Sequence, residues 1–355
     1  MSSQPSTFLL YGSTGFVGDA IARLAVQSGL QPILAGRNAD RLKAQAAELG
    51  VNYRVYNLED ATALDQALSE VSVVLHCAGP YLYTYKPMLE GCLRTGVHYL
   101  DIAGEIPVYE GLAARDAEAK ARGVMLLPAV GFDVVPTDCL ALHLKQRLPS
   151  ATSLTLAFQG QGPAGLPPGT QRTAIEMIPY GSNRVRRNGR LEVSGQGLKT
   201  RQIDFGNGPI TATRMTWGDI FTAYYSTGIP NIADYLVLPE TTRRQLAMLG
   251  YLSPLFKLAA IRNLLKWGVK PGPTADERAR TVTHVWGEVA DDQGRRAVSR
   301  LNGPEAGVIW TARAALAVVR KVLAGNVSPG FQTPARAYGA DFVLECEGVT
   351  REDLS

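Results

Sequence analysis

The chain has 355 residues, 46% hydrophobic and 19% charged, and 36 basic side chains against 32 acidic ones give a formal net charge of +4. This is a soluble globular composition with length for two domains, and it excludes disordered, fibrous and disulfide-scaffold classes. The basic excess is not gathered into one dense patch, so nucleic acid is not an expected partner.

The first part of the chain alternates. Thr7 to Tyr11 is a short apolar run, and Val17 to Ser28 has helical period and stops at Gly29. Apolar runs follow at Pro32–Ala35, Tyr53–Tyr56, Val71–Cys77, His98–Ile102 and Val124–Leu127. Between them lie helical patterns at Arg41–Leu49, Ala61–Glu70, Lys86–Arg94 and Val108–Arg122. Strand–helix alternation of this length predicts βαβ units, right-handed crossovers and a parallel sheet. The fold class is α/β: a doubly wound, six-stranded Rossmann domain over residues 1–138.

After Leu148-Pro149-Ser150 the texture changes. "GQGPAGLPPG", residues 160–169, is a loop by its glycines and prolines. Period-two alternation marks strands at Arg190–Val193, Thr211–Thr216, Thr281–Val289 and Arg295–Leu301, with a hairpin turn at Asp291–Gly294. Pro230–Val269 is apolar and helix-like, and is read as a helical lid in preference to a membrane-surface face or the cover of an acyl pocket. Trp310–Leu323 is a long apolar helix. A second α+β domain with a mixed sheet is expected over 139–330. Residues 331–355, with a helix at Pro334–Leu344, are expected to pack back on the first domain.

Cys77, Cys92, Cys139 and Cys346 include no CxxC pair, and the four histidines form no HExxH. Neither a metal site nor a disulfide framework is expected, and a reducing cytoplasm suits the free thiols. The opening MSSQPST lacks a charged stretch leading into an apolar core, so no signal peptide is read.

Gly12, Gly15 and Gly18 stand between the first strand and the first helix, in "LLYGSTGFVG". That spacing in that context is a dinucleotide fingerprint: one glycine turns the chain, one admits the pyrophosphate, one lets helix and strand pack. Ser13 and Thr14 add hydroxyls, and Phe16 and Val17 open the helix whose N-terminus favours anions. At the end of the second strand an NAD binder places an acid on the ribose. Here the chain reads Gly36-Arg37-Asn38, and Asp40 belongs to the next helix. Arg37, with Asn38 as a further donor, suits a 2′-phosphate, so NADP(H) is the expected cofactor. Cys77, Ala78, Gly79 and Pro80, after the fourth strand, are small enough for the nicotinamide ribose to lie on the backbone. Cys77 itself reads as a small buried apolar residue, not a nucleophile.

These stretches carry a family resemblance. "YGSTGFVG", "LAGRNADRL", "HCAGPY", "GVHYLDIAGE" and "PAVGFDVVPTD", then "GTQRTAIE" and "SPGFQTPARAYG", resemble the saccharopine dehydrogenase-like family, which holds saccharopine reductases and trans-acting enoyl reductases. The resemblance implies an NADP-binding Rossmann domain with a mixed-sheet second domain, and leaves the substrate open. One stretch departs from it. The family often runs through a Tyr-Gly-Glu-Pro turn, where this chain has Leu82-Tyr83-Thr84-Tyr85-Lys86-Pro87.

The chemistry is expected just beyond the strands. Tyr81, Tyr83 and Tyr85 stand where a proton donor belongs; Tyr81, Tyr85 and Asp133 are the candidate catalytic residues. Asp101 and Glu105 border the same edge and could anchor an amine or act as base. The plainer alternatives are loop packing for the tyrosines, helix capping for Glu105 and Asp138, and turn-holding for Asp133. The run from Arg184 to Arg190 is either a clamp for carboxylate or CoA-like phosphate or a solvated loop. No tyrosine is followed by lysine at the Tyr-x-x-x-Lys spacing of short-chain dehydrogenases. Two functions remain. One is an NADPH-dependent oxidoreductase reducing a C=C (enoyl) or C=N (imine) bond of a small or acyl-bearing substrate in a cleft between the domains. The other is a non-catalytic NADP-responsive binding protein. Homodimerisation stays open.

Overall fold

A computed structural model describes residues 7–180, 184–194, 198–244, 256 and 258–354. The chain divides into two compact units: Met1–Val135 with Gly307–Ala337, and Pro136–Ala306 with Tyr338–Ser355. The boundaries therefore differ from 1–138, 139–330 and 331–355, and the return to the first unit begins near Gly307.

The first unit alternates as its apolar runs dictate. Its elements are β1 (Thr7–Tyr11), α1 (Phe16–Gln27), β2 (Gln31–Gly36), α2 (Ala39–Leu49), β3 (Tyr53–Val55), α3 (Ala61–Leu68), β4 (Val73–His76), α4 (Tyr81–Thr95), β5 (His98–Asp101), α5 (Ile106–Ala113), α6 (Asp116–Ala121) and β6 (Met125–Leu127). The strands form a parallel sheet. Its central strands are buried on both faces: Phe8, Leu9, Leu10, Leu34, Val73, Val74 and Leu75 are 0% exposed. That double burial is why they read as unbroken apolar runs and not as alternation.

The sheet has seven strands, in the order Gly330–Phe331, β6, β5, β4, β1, β2, β3. The expected six omitted Gly330–Phe331, which pairs in parallel with Met125 and Leu126. Two residues are too short for a periodic signal. The helix Thr311–Leu323 returns with them and packs on α1. Strand order reverses between β1 and β4, and ligands of such sheets bind at that switch point, beyond the strands' C-terminal ends.

The second unit opens with α7 (Val135–Arg147), four residues before the start expected at Cys139. It continues with β7 (Ser153–Gln161), α8 (Pro168–Met177), β8 (Arg184–Arg187), β9 (Arg190–Val193), β10 (Thr200–Asp204), β11 (Pro209–Met215), α9 (Asp219–Thr227), β12 (Asn231–Val237), α10 (Ala259–Lys266), α11 (Ala275–Ala279), β13 (Val282–Ala290) and β14 (Arg296–Pro304). Its mixed sheet runs β10-β11-β12-β7-β13-β14 and ends on Thr350–Asp353, with β12 and β7 its parallel pair. Neighbouring residues of β13 show the two faces. Trp286 joins Ala157, Ile203, Phe205 and Ala212 in one core cluster. Gly287 points the other way, where an added Cβ would lie 2.6 Å from Leu144 of α7.

Several expectations are corrected here. Val108–Arg122 is not one helix but α5 and α6. Of residues 331–355, expected to pack back on the first domain, only those up to Ala337 belong to the first unit, and Tyr338–Ser355 belong to the second. Pro334–Tyr338 is one short turn of helix, and the tail ends as a strand pairing with β14. The run from Arg184 to Arg190 is the β8–β9 hairpin. Its Arg186 is buried, with Nε donating to Ile220 O at 2.7 Å and the guanidinium 4.2 Å from the Tyr224 ring. Of the stretch Pro230–Val269, residues 245–255 and 257 lie outside the described residues, as do residues 1–6 of the N-terminal reading. Among the described residues, no helix is long and apolar enough to cross a membrane.

Candidate active site

The glycine loop is shaped for a phosphate by close approach. Gly12 has φ +87°, and a Cβ there would meet the backbone N of Ala78 at 2.8 Å. A Cβ on Gly18 would collide with Gly12 O, which fixes how α1 sits on β1. Gly15 is the N-cap of α1 and offers no side-chain cap, so the first-turn amides of Phe16, Val17 and Gly18 face the loop without a capping oxygen. A diphosphate fits such a cradle. Ser13 takes a different part from the one expected of it. It is buried, its hydroxyl donates to Gln45 Oε1 at 2.9 Å, and Gln45 Nε2 donates back to Ser13 O at 3.0 Å. Its side chain holds the loop; it does not line it.

At the end of β2, Arg37 is exposed and makes no hydrogen bond or ion pair among the described residues. Asn38 Oδ1 accepts from Arg41 N at 2.9 Å and so caps α2. The sequence reading passed over Arg41. Its Nη2 donates to Thr14 O at 2.8 Å, tying the start of α2 to the glycine loop. Two guanidiniums, four residues apart in sequence, therefore stand at the end of β2 and the start of α2. The signal was present in "GRNADRL", one helical turn past Arg37.

The other half of the edge is built from side chains. Asp101, at the end of β5, is 0% exposed and accepts from Tyr99 OH (2.6 Å), Ala129 N (2.8 Å) and Ala103 N (3.0 Å). It thereby holds Ala129 at φ +57°, a strained value for a residue with a Cβ. Burial raises Asp101 to about 6 despite those donors. Glu105 is the N-cap residue of α5 but does not cap it with its side chain. Its Oε1 accepts from Tyr81 N (3.1 Å) and its Oε2 from Gly104 N (2.9 Å). Burial, with the charges of Asp101 and Asp133 adding to it, raises Glu105 to about 7. Burial alone raises Asp133 to about 6, and its Oδ2 lies 3.0 Å from where a Gly104 Cβ would stand.

Tyr81 begins α4, earlier than the helix start expected at Lys86. Its hydroxyl is held well above the usual range by burial, then by Cys77, Asp101, Glu105 and Asp133. The structure thus brings Cys77, Tyr81, Asp101, Glu105 and Asp133 into one electrostatic group. Burial likewise pushes the Cys77 thiol up, so it stays protonated. Tyr85 is not brought into this group. Its hydroxyl lies 2.5 Å from where a Cβ on Gly111 of α5 would stand. His76 is buried and held near 3, with Nε2 3.0 Å from the Thr84 hydroxyl. Asp138 lies inside α7 and accepts from Ser226 Oγ at 2.6 Å, so it is not the expected N-cap.

The Asp133 loop is fastened from far along the chain. Phe132 N donates to Thr311 Oγ1 at 3.1 Å, and the Phe132 and Trp310 rings stand 5.3 Å apart. Among the described residues, no group of three or more His, Cys, Asp or Glu is arranged to hold a metal ion.

Parallel sheet, switch point and glycine cradle define a dinucleotide-binding Rossmann protein. Residues 8–127 match the family model described as the saccharopine dehydrogenase NADP binding domain. It is 25% identical over 196 residues to a human saccharopine dehydrogenase-like oxidoreductase, a match covering 48% of this chain and 46% of the relative. It is 35% identical over 148 residues to a trans-acting enoyl reductase of Mycobacterium leprae, covering 39% of this chain and 35% of that one. The chain thus spans less than half the length of these curated relatives. Among solved structures, apo saccharopine dehydrogenase (L-Glu forming) from Saccharomyces cerevisiae shares the fold, with a TM-score of 0.68 at 14% identity over 98% of this chain and 100% of that one.

Proposed function

We propose that the protein is an NADPH-dependent reductase that delivers hydride to the C=C bond of an acyl-bearing enoyl substrate, with reduction of a C=N bond as the second reading. The observation that carries it is the group of carboxyls beyond β5 and β6, poised between about 6 and 7 beside the Tyr81 hydroxyl, which stays protonated. A general acid works best with a pKa near the working pH. The 35% identity to an enoyl reductase supports the C=C reading. A carboxylate of this group left ionised would also stabilise an iminium, which keeps C=N reduction as the second reading.

The bound cofactor supplies the hydride. The first-turn amides of α1 hold its diphosphate, and Arg37 and Arg41 together hold the 2′-phosphate. Tyr81 presents a protonated hydroxyl to the substrate carbonyl. Glu105 fixes the start of α4 through the Tyr81 amide, and protonated Asp133 gives its proton to the α-carbon of the enolate that hydride addition leaves, then takes one back from water. Asp101 positions the two loops and touches no reacting atom.

The test is NADPH oxidation against enoyl thioesters and cyclic imines. Turnover of enoyl thioesters that falls at least tenfold in Asp133→Asn is expected. NADPH binding with no turnover of either class would leave the non-catalytic binding protein as the correct reading.

A further inference from the structure

Gln45 of α2 is buried at 7% exposed, and its whole side-chain amide is engaged. Its Oε1 accepts from Ser13 Oγ at 2.9 Å. Its Nε2 donates to Ser13 O at 3.0 Å and to Asp19 Oδ1 at 2.8 Å. A backbone carbonyl can only accept, so the amide nitrogen is the end that faces Ser13 O. Asp19, in the first turn of α1, also accepts from Arg23 Nε at 2.9 Å, and Arg23 reaches back to the Glu48 carboxylate of α2 with both terminal nitrogens. One polar net thus joins the glycine loop, α1 and α2, with Gln45 at its centre. No other side chain of this length does the same: methionine forms none of the three bonds, and glutamate keeps one acceptor and sets a charge against Asp19.

The consequence lies in the Ser13–Thr14 peptide. It is trans, so its C=O and N–H point in opposite directions. Gln45 draws Ser13 O toward α2, which turns Thr14 N–H away from α2. That N–H makes no hydrogen bond among the described residues. The amides on either side are engaged within the fold: Gly12 N donates to Ala35 O at 2.7 Å and Gly15 N to Gly12 O at 3.0 Å. A half-buried backbone donor without an acceptor is unfavourable until something supplies one, and loop amides of this kind take anions. We propose that Gln45 is a positioning residue for the dinucleotide. By fixing the Ser13–Thr14 peptide it presents Thr14 N–H to the diphosphate, beside the first-turn amides of α1. Gln45 itself touches no ligand atom. This role rests on the reading of the glycine loop as the diphosphate cradle.

The experiment is titration calorimetry of the full chain with NADPH, NADH and ADP-ribose, which share the diphosphate and differ at the 2′-position and the nicotinamide. Gln45→Met should weaken all three by the same factor, about tenfold, as expected for one hydrogen bond to a charged group left unformed. Ser13→Ala removes the hydroxyl and keeps the bond to Ser13 O, so it should weaken them less than about threefold. Hydrogen exchange reads the peptide directly. In the free wild type the Thr14 amide should exchange faster than that of Gly15, and ADP-ribose should slow it about tenfold or more. The slowing should be lost in Gln45→Met. A Gln45→Met chain that melts earlier but keeps all three affinities within about threefold of the wild type overturns the proposal, because Gln45 then only packs α2 on the loop. So does a loss confined to NADPH. So does a wild-type Thr14 amide that ADP-ribose leaves unprotected, a measurement that needs no variant to fold. A wild type that binds none of the three ligands removes the cradle itself, and the role of Gln45 with it.

Discussion

Two halves of one sheet edge are built by different means. Beyond β1 and β2 the site is backbone: glycines that admit close approach, an uncapped helix start, and two arginines at the rim. Beyond β4, β5 and β6 it is side chain: two buried carboxyls, a half-buried one and a buried tyrosine, whose proton affinities are set by desolvation and by one another. The backbone half needs residues that are nearly invisible to pH. The side-chain half is chemically tuned and correspondingly costly, because each carboxyl is more stable outside the fold once ionised.

The comparison is broken most directly in the backbone half. Gly12→Ala places a Cβ 2.8 Å from Ala78 N at φ +87°, so the loop must move. NADPH affinity should fall about 100-fold, measured by titration calorimetry, an effect in line with a few kcal/mol of backbone strain. Affinity within threefold of the wild type would mean that this loop is not the cradle.

The next effect belongs to the side-chain half and depends on pH. Folding raises Glu105 from about 4.5 to about 7. The folded chain therefore binds more protons than the unfolded one in that window. Stability is greatest below it and declines as pH rises from about 4.5 to 7, by roughly 2–3 kcal/mol from this residue. Urea unfolding at pH 5 and pH 8 checks this, and Glu105→Gln should flatten the slope. An unchanged slope in the variant would show that Glu105 is not the group responsible.

Arg37→Ala and Arg41→Ala should each weaken NADPH about tenfold and leave NADH unchanged. Equal losses for the two cofactors would remove the 2′-phosphate from the rim. The smallest effect is expected from Tyr85→Phe. With its hydroxyl over Gly111, turnover should change less than twofold; a larger loss would draw Tyr85 into the acid group and blur the contrast.

How legible each half was follows from the same contrast. The tight loop of Gly12, Gly15 and Gly18 was readable, because a close approach of backbone to backbone requires glycine at a fixed local spacing. Arg41 was missed although it lies in the same motif as Arg37, since a helix's second turn gave no reason to look outward. Asp101, Glu105 and Asp133 were visible as candidates, but their separate tasks were not. Asp101 organises loops, Glu105 holds the Tyr81 amide, and Ser13 serves Gln45; nothing in residue spacing distinguishes those from capping or catalysis.

By itself the sequence determined the alternating parallel sheet and the glycine loop between its first strand and first helix, because these rest on periodicity and on local backbone requirements. Tertiary structure alone decided the seventh strand, the anchoring of the Asp133 loop by Thr311 and Trp310, and the proton affinities of the acids. Each of those depends on desolvation or on partners far apart in the chain, and neither leaves a local pattern to read.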